Sequence, residues 1–284
     1  YPGKAHCDPE KLLASPADFE KFKDAFKKYD IELCALSCHG NPVHPDETEA
    51  KRYHDDFVNT VLLAEKLGLD TVITFSGCPG GAPGDKMPNW ATCAWPEEYL
   101  AVLDYQWNDV LIPYWATKFA LEHGVSRIAL ELHPGFCVYN PEKLMKLREA
   151  VGPVIGANFD PSHLVWQGID PVSAIRYLGD SIYHVHAKDT KVDKLNTERT
   201  GVLDTKHYSD EINRSWVFRT VGFGHGEEYW RDLISALRLV GYDRVLSIEH
   251  EDSLMSIDEG LSKAVEFLKP MIIHDPKPTT MAWA

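Results

Sequence analysis

Long apolar runs, low-complexity tracts and linkers are all missing from this sequence. No stretch approaches the roughly 20 apolar residues of a membrane span, and we expect no signal peptide. We therefore expect no membrane partner. With 284 residues and no linker to divide them, the chain is predicted to form a single domain over residues 1–284.

Basic residues are scarce. The 29 Lys and Arg residues are outnumbered by 43 Asp and Glu residues, so the formal net charge is −14. Binding to a phosphate backbone depends on Lys and Arg, and an acidic surface repels it. We therefore expect no nucleic-acid partner and a small molecule as the ligand.

The six cysteines are scattered along the chain, and their spacing does not match a disulfide framework. This distribution is typical of free thiols in a reducing compartment and favours a cytoplasmic protein. Cys34 and Cys38 lie four residues apart in an apolar run. We interpret them as core residues rather than metal ligands.

Short apolar runs alternate with amphipathic stretches along the chain, which is typical of a parallel sheet wrapped in helices. The predicted strands are Ile31–Ser37, Thr71–Phe75, Arg127–Leu132, Val154–Phe159, Ser181–Ala187 and Arg244–His250. The predicted helices are Ala50–Leu67, Glu97–Glu122, Pro141–Ala150, Pro171–Leu178, Glu227–Val240 and Ile257–Leu268. The fold class is therefore α/β.

Six strands are two fewer than a closed eight-stranded barrel requires. The Pro- and Gly-rich opening at Tyr1 is typical of a loop rather than of the start of a domain. We interpret the chain as a (β/α)8 TIM barrel whose first two strands are absent, either because the sequence is incomplete at its front or because the protein is a shortened variant. An open doubly wound sheet is the alternative.

Two segments interrupt the alternation of strands and helices. Residues 189–226 form a long polar loop insertion without clear periodicity, and Ser76–Trp95 is rich in Gly and Pro. Long ordered loops after a barrel strand usually form lids or interfaces. We therefore expect the insertion to cover the barrel mouth or reach a neighbouring subunit. Trp90 and Trp95 either pack on the barrel or form an apolar wall over a sugar.

Four predicted strands end on a side chain that can bind a metal ion. These residues are Glu131, Asp160, His186 and Glu249. Side chains alternate between the two faces of a strand, so each of these residues shares a face with polar or small neighbours while the opposite face is apolar. We therefore expect the four side chains to point together into the barrel.

Three buried carboxylates cannot stay charged without compensation, and a divalent cation supplies it. Three oxygen ligands and one nitrogen ligand favour Mn²⁺, Mg²⁺ or Co²⁺ over a thiolate-rich zinc site, and Zn²⁺ is also possible. We predict one such ion. Ion pairing at the barrel mouth without a metal is the alternative.

Three motifs in order resemble sugar phosphate isomerases and epimerases of the xylose-isomerase-like superfamily. The motifs are Asn158-Phe-Asp160-Pro-Ser-His163-Leu, His184-Val-His186-Ala-Lys-Asp189 and Ser247-Ile-Glu249-His-Glu. The resemblance implies one metal ion, usually manganese, bound by the four residues above. It also implies that Glu131 and Glu249 move the substrate proton, and that His163 and Arg219 bind the substrate. A homo-oligomer is expected from the resemblance alone.

Three further residues are predicted to contact a carbohydrate substrate. His133 and Lys188 share strand faces with the expected ligands, and His39 follows the first predicted strand. A solvated loop histidine is an equally good interpretation of His39.

The chemistry that these residues predict starts with loss of a C–H proton next to a carbonyl, through an enediolate that a metal ion stabilises. Return of the proton gives isomerisation or epimerisation of a sugar. Expulsion of a β-substituent makes the enzyme a lyase or dehydratase that acts on 3-keto glycosides or inososes. An AP-endonuclease-like phosphodiesterase is disfavoured by the acidic charge, and a non-catalytic sugar-binding role is made unnecessary by the four ligands.

Overall fold

The computed structural model describes residues 6–275, which form two β-sheets and the helices around them. Eight strands are present in the described residues. They are β1 (Leu36–Ser37), β2 (Thr71–Phe75), β3 (Arg127–Glu131), β4 (Ile155–Phe159), β5 (Ile182–Ala187), β6 (Asp189–Val192), β7 (Trp216–Arg219) and β8 (Leu246–Ile248).

Six of these strands form one parallel sheet in the order β1-β2-β3-β4-β5-β8. The sheet curls, so that the residues before β8 come close to those before β2. Arg244 Nη2 lies 3.2 Å from Asp70 Oδ2. This half-barrel confirms the predicted TIM-barrel fold class. A shift in register between β4 and β5 brings His184 opposite Asn158.

Twelve α-helices are present in the described residues, and several of them pack on the outer face of the sheet. They are α1 (Pro9–Ala14), α2 (Pro16–Lys28), α3 (Glu47–Leu67), α4 (Glu98–Asp104), α5 (Ile112–Trp115), α6 (Phe119–Glu122), α7 (Pro141–Val151), α8 (Pro161–Val165), α9 (Pro171–Leu178), α10 (Lys194–Thr200), α11 (Glu227–Leu239) and α12 (Ile257–Leu268). No helix within residues 6–275 is long and apolar enough to cross a membrane.

The sequence sets the ends of the longest helix. Asp46 accepts hydrogen bonds from the backbone N–H groups of Thr48 and Glu49, which the first turn of α3 leaves without partners. Gly68 ends the helix with a φ of 72°, a left-handed conformation that favours glycine. The helix packs between the sheet and α1, and its buried face includes Val61 and Leu63.

The two faces of the sheet have the predicted chemistry. Ile128, Leu130, Phe159 and Val185 are buried in the main hydrophobic cluster with side chains of the surrounding helices. Burial of such side chains contributes roughly 1.5–3 kcal/mol each to folding, which fixes the strand faces. The intervening residues of the same strands therefore point to the inside of the curl.

Several predicted elements differ from those observed. The strand predicted at Ile31–Ser37 is reduced to β1, and Ile31 is 58% exposed. Two helices that were not predicted, α1 and α2, precede β1, because Asp8 and Ser15 cap them and a Pro follows each cap. The opening at Tyr1, interpreted as a loop, lies outside the described residues.

The single helix predicted over Glu97–Glu122 is divided. A π-helical stretch, Tyr105–Leu111, separates α4 from α5, and the Ile112 N–H donates to Trp107 O five residues back. Pro113 follows, and it has no N–H to continue a regular ladder. The helix stops again before α6.

The prediction of free cysteines is correct, but the prediction that Cys34 and Cys38 are both core residues is wrong for Cys34. All six cysteines are free. Cys38 packs against the main core, but Cys34 is exposed, because the chain around it is not a regular strand.

The prediction that residues 189–226 form an irregular loop is wrong at both ends of the segment. β6 and β7 pair there as an antiparallel ribbon, with Asp189 opposite Arg219 and Val192 opposite Trp216. The helix α10 follows β6. We call the segment 189–219 the ribbon arm. Its pairing joins residues 30 positions apart, so a local pattern does not reveal it.

Asp189 fixes the end of the ribbon arm. Its Oδ2 accepts hydrogen bonds from the N–H groups of Gly222, Gly224 and His225, and the His225 ring lies 2.7 Å from Oδ1. The N–H of Thr190 also donates to Oδ1. Because Asp189 is buried, one carboxylate satisfies donors that would otherwise have no partner.

Replacement of Asp189 by Ala leaves these buried donors without an acceptor. We expect the free energy of unfolding to fall by about 3–5 kcal/mol, measured by chemical denaturation. The control is Asp193→Ala, which removes only the N-cap of α10 and should cost about 1 kcal/mol. Equal losses in the two variants would contradict this role of Asp189.

Candidate metal centre and active site

Four side chains meet at the carboxyl ends of the parallel strands. Glu131 ends β3, Asp160 directly follows β4, His186 lies in β5 and Glu249 directly follows β8. One ligand atom from each lies within 4.8 Å of the others. These four strands are consecutive neighbours in the sheet, and parallel strands carry their ends to the same edge. The fold therefore brings the four predicted metal ligands together.

His186 lies at the centre of the group. Its Nδ1 is 3.1 Å from Glu249 Oε2, 3.4 Å from Glu131 Oε2 and 3.8 Å from Asp160 Oδ2. Burial lowers the pKa of His186, but the neighbouring carboxylates of Asp160 and Glu249 outweigh it and raise that pKa to about 10. The site therefore strongly favours positive charge at this point.

The carboxylates are held in their charged forms. Burial raises the pKa of Glu131, but hydrogen bonds to His163 and His39 hold it well below its usual value. Burial also raises the pKa of Asp160, and the charges of His163 and Lys188 lower it to about 2. Two charged and buried carboxylates beside one imidazole favour a cation nearby.

The arrangement fits a divalent cation. Asp160 Oδ1 accepts a hydrogen bond from the Ser162 N–H, but its buried Oδ2 has no hydrogen-bond donor among the described residues. A buried carboxylate oxygen without a donor is costly, and a metal ion at the centre of the group supplies the missing partner. Three carboxylates and one imidazole are ligands that hard or borderline divalent ions prefer.

Lys188 lies next to the group, in the gap between β5 and β6. Its Nζ is 2.5 Å from Glu251 Oε2, 3.3 Å from Glu249 Oε2 and 3.8 Å from Asp160 Oδ2. The same ammonium lies 4.1 Å from the centre of the Phe218 ring in the ribbon arm. Lys188 therefore fixes Glu249 and ties the metal centre to the ribbon arm.

Three histidines line the other side of Glu131. His39 Nε2 lies 3.0 Å from Glu131 Oε2, and His163 Nε2 lies 3.1 Å from Glu131 Oε1. The rings of His133 and His163 are 4.1 Å apart between centroids. Burial lowers the pKa of His133 to about 3, which keeps its ring neutral. Glu131, His133 and His163 form a second group that could hold a metal ion.

Arg219 lies away from the four ligands, at the end of β7. Its Nε is 3.1 Å from Asp252 Oδ2, which also accepts the N–H of Thr220. The structure therefore shows an ion pair that orders the chain after β7. Contact between Arg219 and a substrate stays a prediction.

The sequence interpretation gave no role to Asn158. Its Nδ2 donates to Glu131 Oε2 over 3.1 Å and lies 3.2 Å from His186 Nε2. The available signal was its position, two residues before Asp160 and on the same strand face. Asn158 therefore orients two of the four ligands.

The two tryptophans of the loop after β2 have different surroundings. Trp95 is 73% exposed and does not form a wall over the centre. Trp90 packs edge-on against Tyr139 and lines a cavity that also borders His133 and His163. Only Trp90 is therefore placed near the metal centre.

Comparison with known proteins identifies the family. The model of the xylose isomerase-like TIM barrel family matches residues 5–271. This chain belongs to that family. It is 43% identical over 271 residues to the Uncharacterized protein YfiH of Bacillus subtilis (strain 168), covering 94% of this chain and 86% of that protein. It is 22% identical over 261 residues to the Inosose dehydratase of Mesomycoplasma hyopneumoniae, covering 90% of this chain and 81% of the relative.

Solved structures share the fold. A D-tagatose 3-epimerase-like protein superposes with a TM-score of 0.61 at 21% identity, covering 90% of this chain and 83% of its own. The IOLI protein with a binding zinc atom gives a TM-score of 0.59 at 20% identity, covering 93% and 84% of the two chains. These likenesses show that the two solved structures and this chain have the same fold.

Metal content distinguishes the two groups of candidate ligands. We expect His186→Ala to reduce retained divalent metal at least tenfold, because it removes the one ligand that contacts all three carboxylates. His133→Ala removes a ring that belongs only to the second group and should leave metal content unchanged. Mass spectrometry of protein loaded with Mn²⁺ and then dialysed measures both. Loss of metal in His133→Ala but not in His186→Ala would assign the ion to the second group.

Proposed function

We propose that this protein is a metal-dependent isomerase or epimerase that acts on a sugar or keto-sugar by proton abstraction. One observation carries the proposal. Glu131, Asp160, His186 and Glu249 place their ligand atoms within 4.8 Å of one another at the carboxyl ends of a barrel sheet, where enzymes of this fold have their active sites. The family of carbohydrate enzymes to which the chain belongs agrees with it.

The four residues would hold one divalent ion. Such an ion supplies Lewis-acid polarisation of a substrate carbonyl and its neighbouring hydroxyl. We infer Mn²⁺ as the ion, with Mg²⁺, Co²⁺ and Zn²⁺ as alternatives, and the zinc atom bound by the IOLI protein supports a divalent metal. Asn158 and Lys188 orient the ligands as described above.

Glu131 and Glu249 are the proposed bases. The pKa of Glu131 is held well below its usual value, as described above. Burial raises the pKa of Glu249, but a hydrogen bond to His186 and the charge of Lys188 lower it below its usual value. Both side chains are therefore ionised at neutral pH and able to accept a proton from a substrate C–H bond.

The roles proposed for the surrounding residues follow from their positions. His163 and His39 fix the carboxylate of Glu131 and border the space where a substrate would lie. His133 and Lys188 are proposed to contact the substrate next to them, and Arg219 to do so from the end of β7. We also propose that the protein forms a homo-oligomer and is located in the cytoplasm.

A lyase or dehydratase is the second candidate. The relative named Inosose dehydratase covers 90% of this chain and favours it. Elimination begins with the same proton abstraction. The electron pair left by the C–H bond then expels a β-substituent, whereas in isomerisation or epimerisation it takes up a proton again. One base and one proton donor suffice for it.

Replacement of Glu131 or Glu249 by Gln tests the two-base mechanism. Each change keeps an oxygen ligand of similar shape but removes the base. We expect metal content to fall modestly and turnover to fall by roughly 10²–10⁴-fold. Incubation of metal-loaded protein with a panel of ketoses and 3-keto glycosides in D₂O, followed by mass spectrometry, measures deuterium uptake and identifies the products.

His163→Ala is the matched comparison in this experiment. It removes a neighbour of Glu131 without removing a base, so it should mainly raise KM. If Glu249→Gln keeps near-normal exchange while Glu131→Gln abolishes it, two-base epimerisation is excluded and a one-base isomerase or lyase takes its place. If no compound of the panel exchanges deuterium, the proposed function is wrong.

A further inference from the structure

A cavity with aromatic walls lies beside the candidate metal centre. Its volume is ≈ 280 Å³, close to the lower end of the roughly 300–1,000 Å³ typical of small-ligand pockets. His133 and His163 border it on the side of the centre. His163 Nε2 is also 3.1 Å from Glu131 Oε1, so a single ring separates the cavity from a proposed base.

The ribbon arm builds one wall of the cavity. Trp216 of β7 stacks on Trp166 with ring centroids 4.6 Å apart and planes 5° from parallel. The Trp216 N–H donates to Val202 O over 3.1 Å, and Arg214 lies 4.6 Å from its ring. Both tryptophans are buried. This wall is therefore fixed before any ligand arrives, which lowers the entropic cost of binding.

The remaining walls carry little charge. Trp90, Leu203 and Tyr208 contribute apolar surface. No Lys or Arg among the residues described by the structure lines the cavity, and Asp204 is its one carboxylate. A phosphate group would meet no Lys or Arg among the lining residues, and the Asp204 carboxylate is already paired with Lys206, whose Nζ lies 3.1 Å from Oδ1. The cavity therefore suits a neutral group.

Two donors in these walls have no acceptor. Nε1 of Trp90 and Nε1 of Trp166 are buried and make no hydrogen bond within the described part of the chain. Buried indole N–H groups usually have a partner. Trp90 and Trp166 both line the cavity, so the two unpaired N–H groups belong to residues that a ligand in the cavity would contact.

We propose that this cavity binds a second, neutral ring attached to the reacting sugar, so that the substrate is a glycoside rather than a sugar phosphate. The inference rests on the proposed function, because it takes the reacting sugar to lie at Glu131 and Glu249. The second ring is either a sugar, whose C–H face stacks on the indoles, or an aromatic aglycone. His163 lies between the two rings of such a substrate.

Binding and exchange are measured separately to test the proposal. Calorimetry on Mn²⁺-loaded protein compares glucose, cellobiose, phenyl β-glucoside and glucose 6-phosphate as probes. Deuterium exchange compares the 3-keto derivatives of the same four compounds. We expect cellobiose, phenyl β-glucoside or both to bind at least about tenfold more tightly than glucose, as one favourable ring contact allows. We expect the phosphate to bind no better than glucose.

A matched pair of variants locates the effect. Leu203→Asp places a charge in the cavity wall, and Ile212→Asp makes the same type of change elsewhere on the ribbon arm. Leu203 is 69% exposed and Ile212 is 84% exposed, so both variants should fold. Leu203→Asp should weaken binding of the two-ring compounds and remove their advantage over glucose. Ile212→Asp should change neither.

The outcomes separate this inference from the proposed function. Absence of exchange with every keto compound, together with two-ring probes that bind through the Leu203 wall, overturns the proposed function and keeps the cavity as a ring-binding site. Exchange that is equally efficient with one and two rings overturns the cavity assignment alone. Tightest binding of glucose 6-phosphate also overturns it. If the affinity relative to glucose rises more for cellobiose, the second ring is a sugar. If it rises more for phenyl β-glucoside, the second ring is an aromatic aglycone.

Discussion

The electrostatic cost of two buried carboxylates and one partly buried carboxylate around one imidazole is the constraint on which the rest of the site depends. Glu131, Asp160 and Glu249 converge because parallel strands carry their ends to one edge, and burial alone would protonate them. Asn158 and Lys188 offset part of the cost by hydrogen bonding and charge. A divalent cation would offset the remainder, including the cost of the Asp160 oxygen that makes no hydrogen bond among the described residues.

The parts of the fold that the sequence predicts are those with local periodicity. The cores of β3, β4 and β5 and the faces of their side chains follow from alternation, because a strand slipped by one residue would bury its polar face. The four ligands follow from the same pattern. The ribbon arm does not, because the partners Asp189 and Arg219 are 30 positions apart. His39 similarly reaches Glu131 from 92 positions away, and only the folded structure shows it.

The aromatic cavity explains why the substrate was harder to predict than the metal centre. The four candidate ligands lie in or directly after strands of the sheet, whereas one cavity wall comes from Trp216 and other residues of the ribbon arm. Loops and insertions set specificity in barrel enzymes because the sheet can stay unchanged while they vary. Asp189 joins the two parts, since it fixes the turn after β7 and follows Lys188 of the centre directly.

The two glutamates differ in their surroundings, and this difference indicates how a substrate would be oriented in the site. The Glu131 side chain is 3% exposed and lies between His39 and His163, whereas that of Glu249 is 32% exposed and pairs with Lys188. The cavity borders His163, on the Glu131 side. A two-ring substrate would therefore enter with its reacting sugar across the ligands and its second ring beyond Glu131. The more exposed Glu249 would then be the base nearer to solvent, and the carboxylate beside the attached ring would be Glu131.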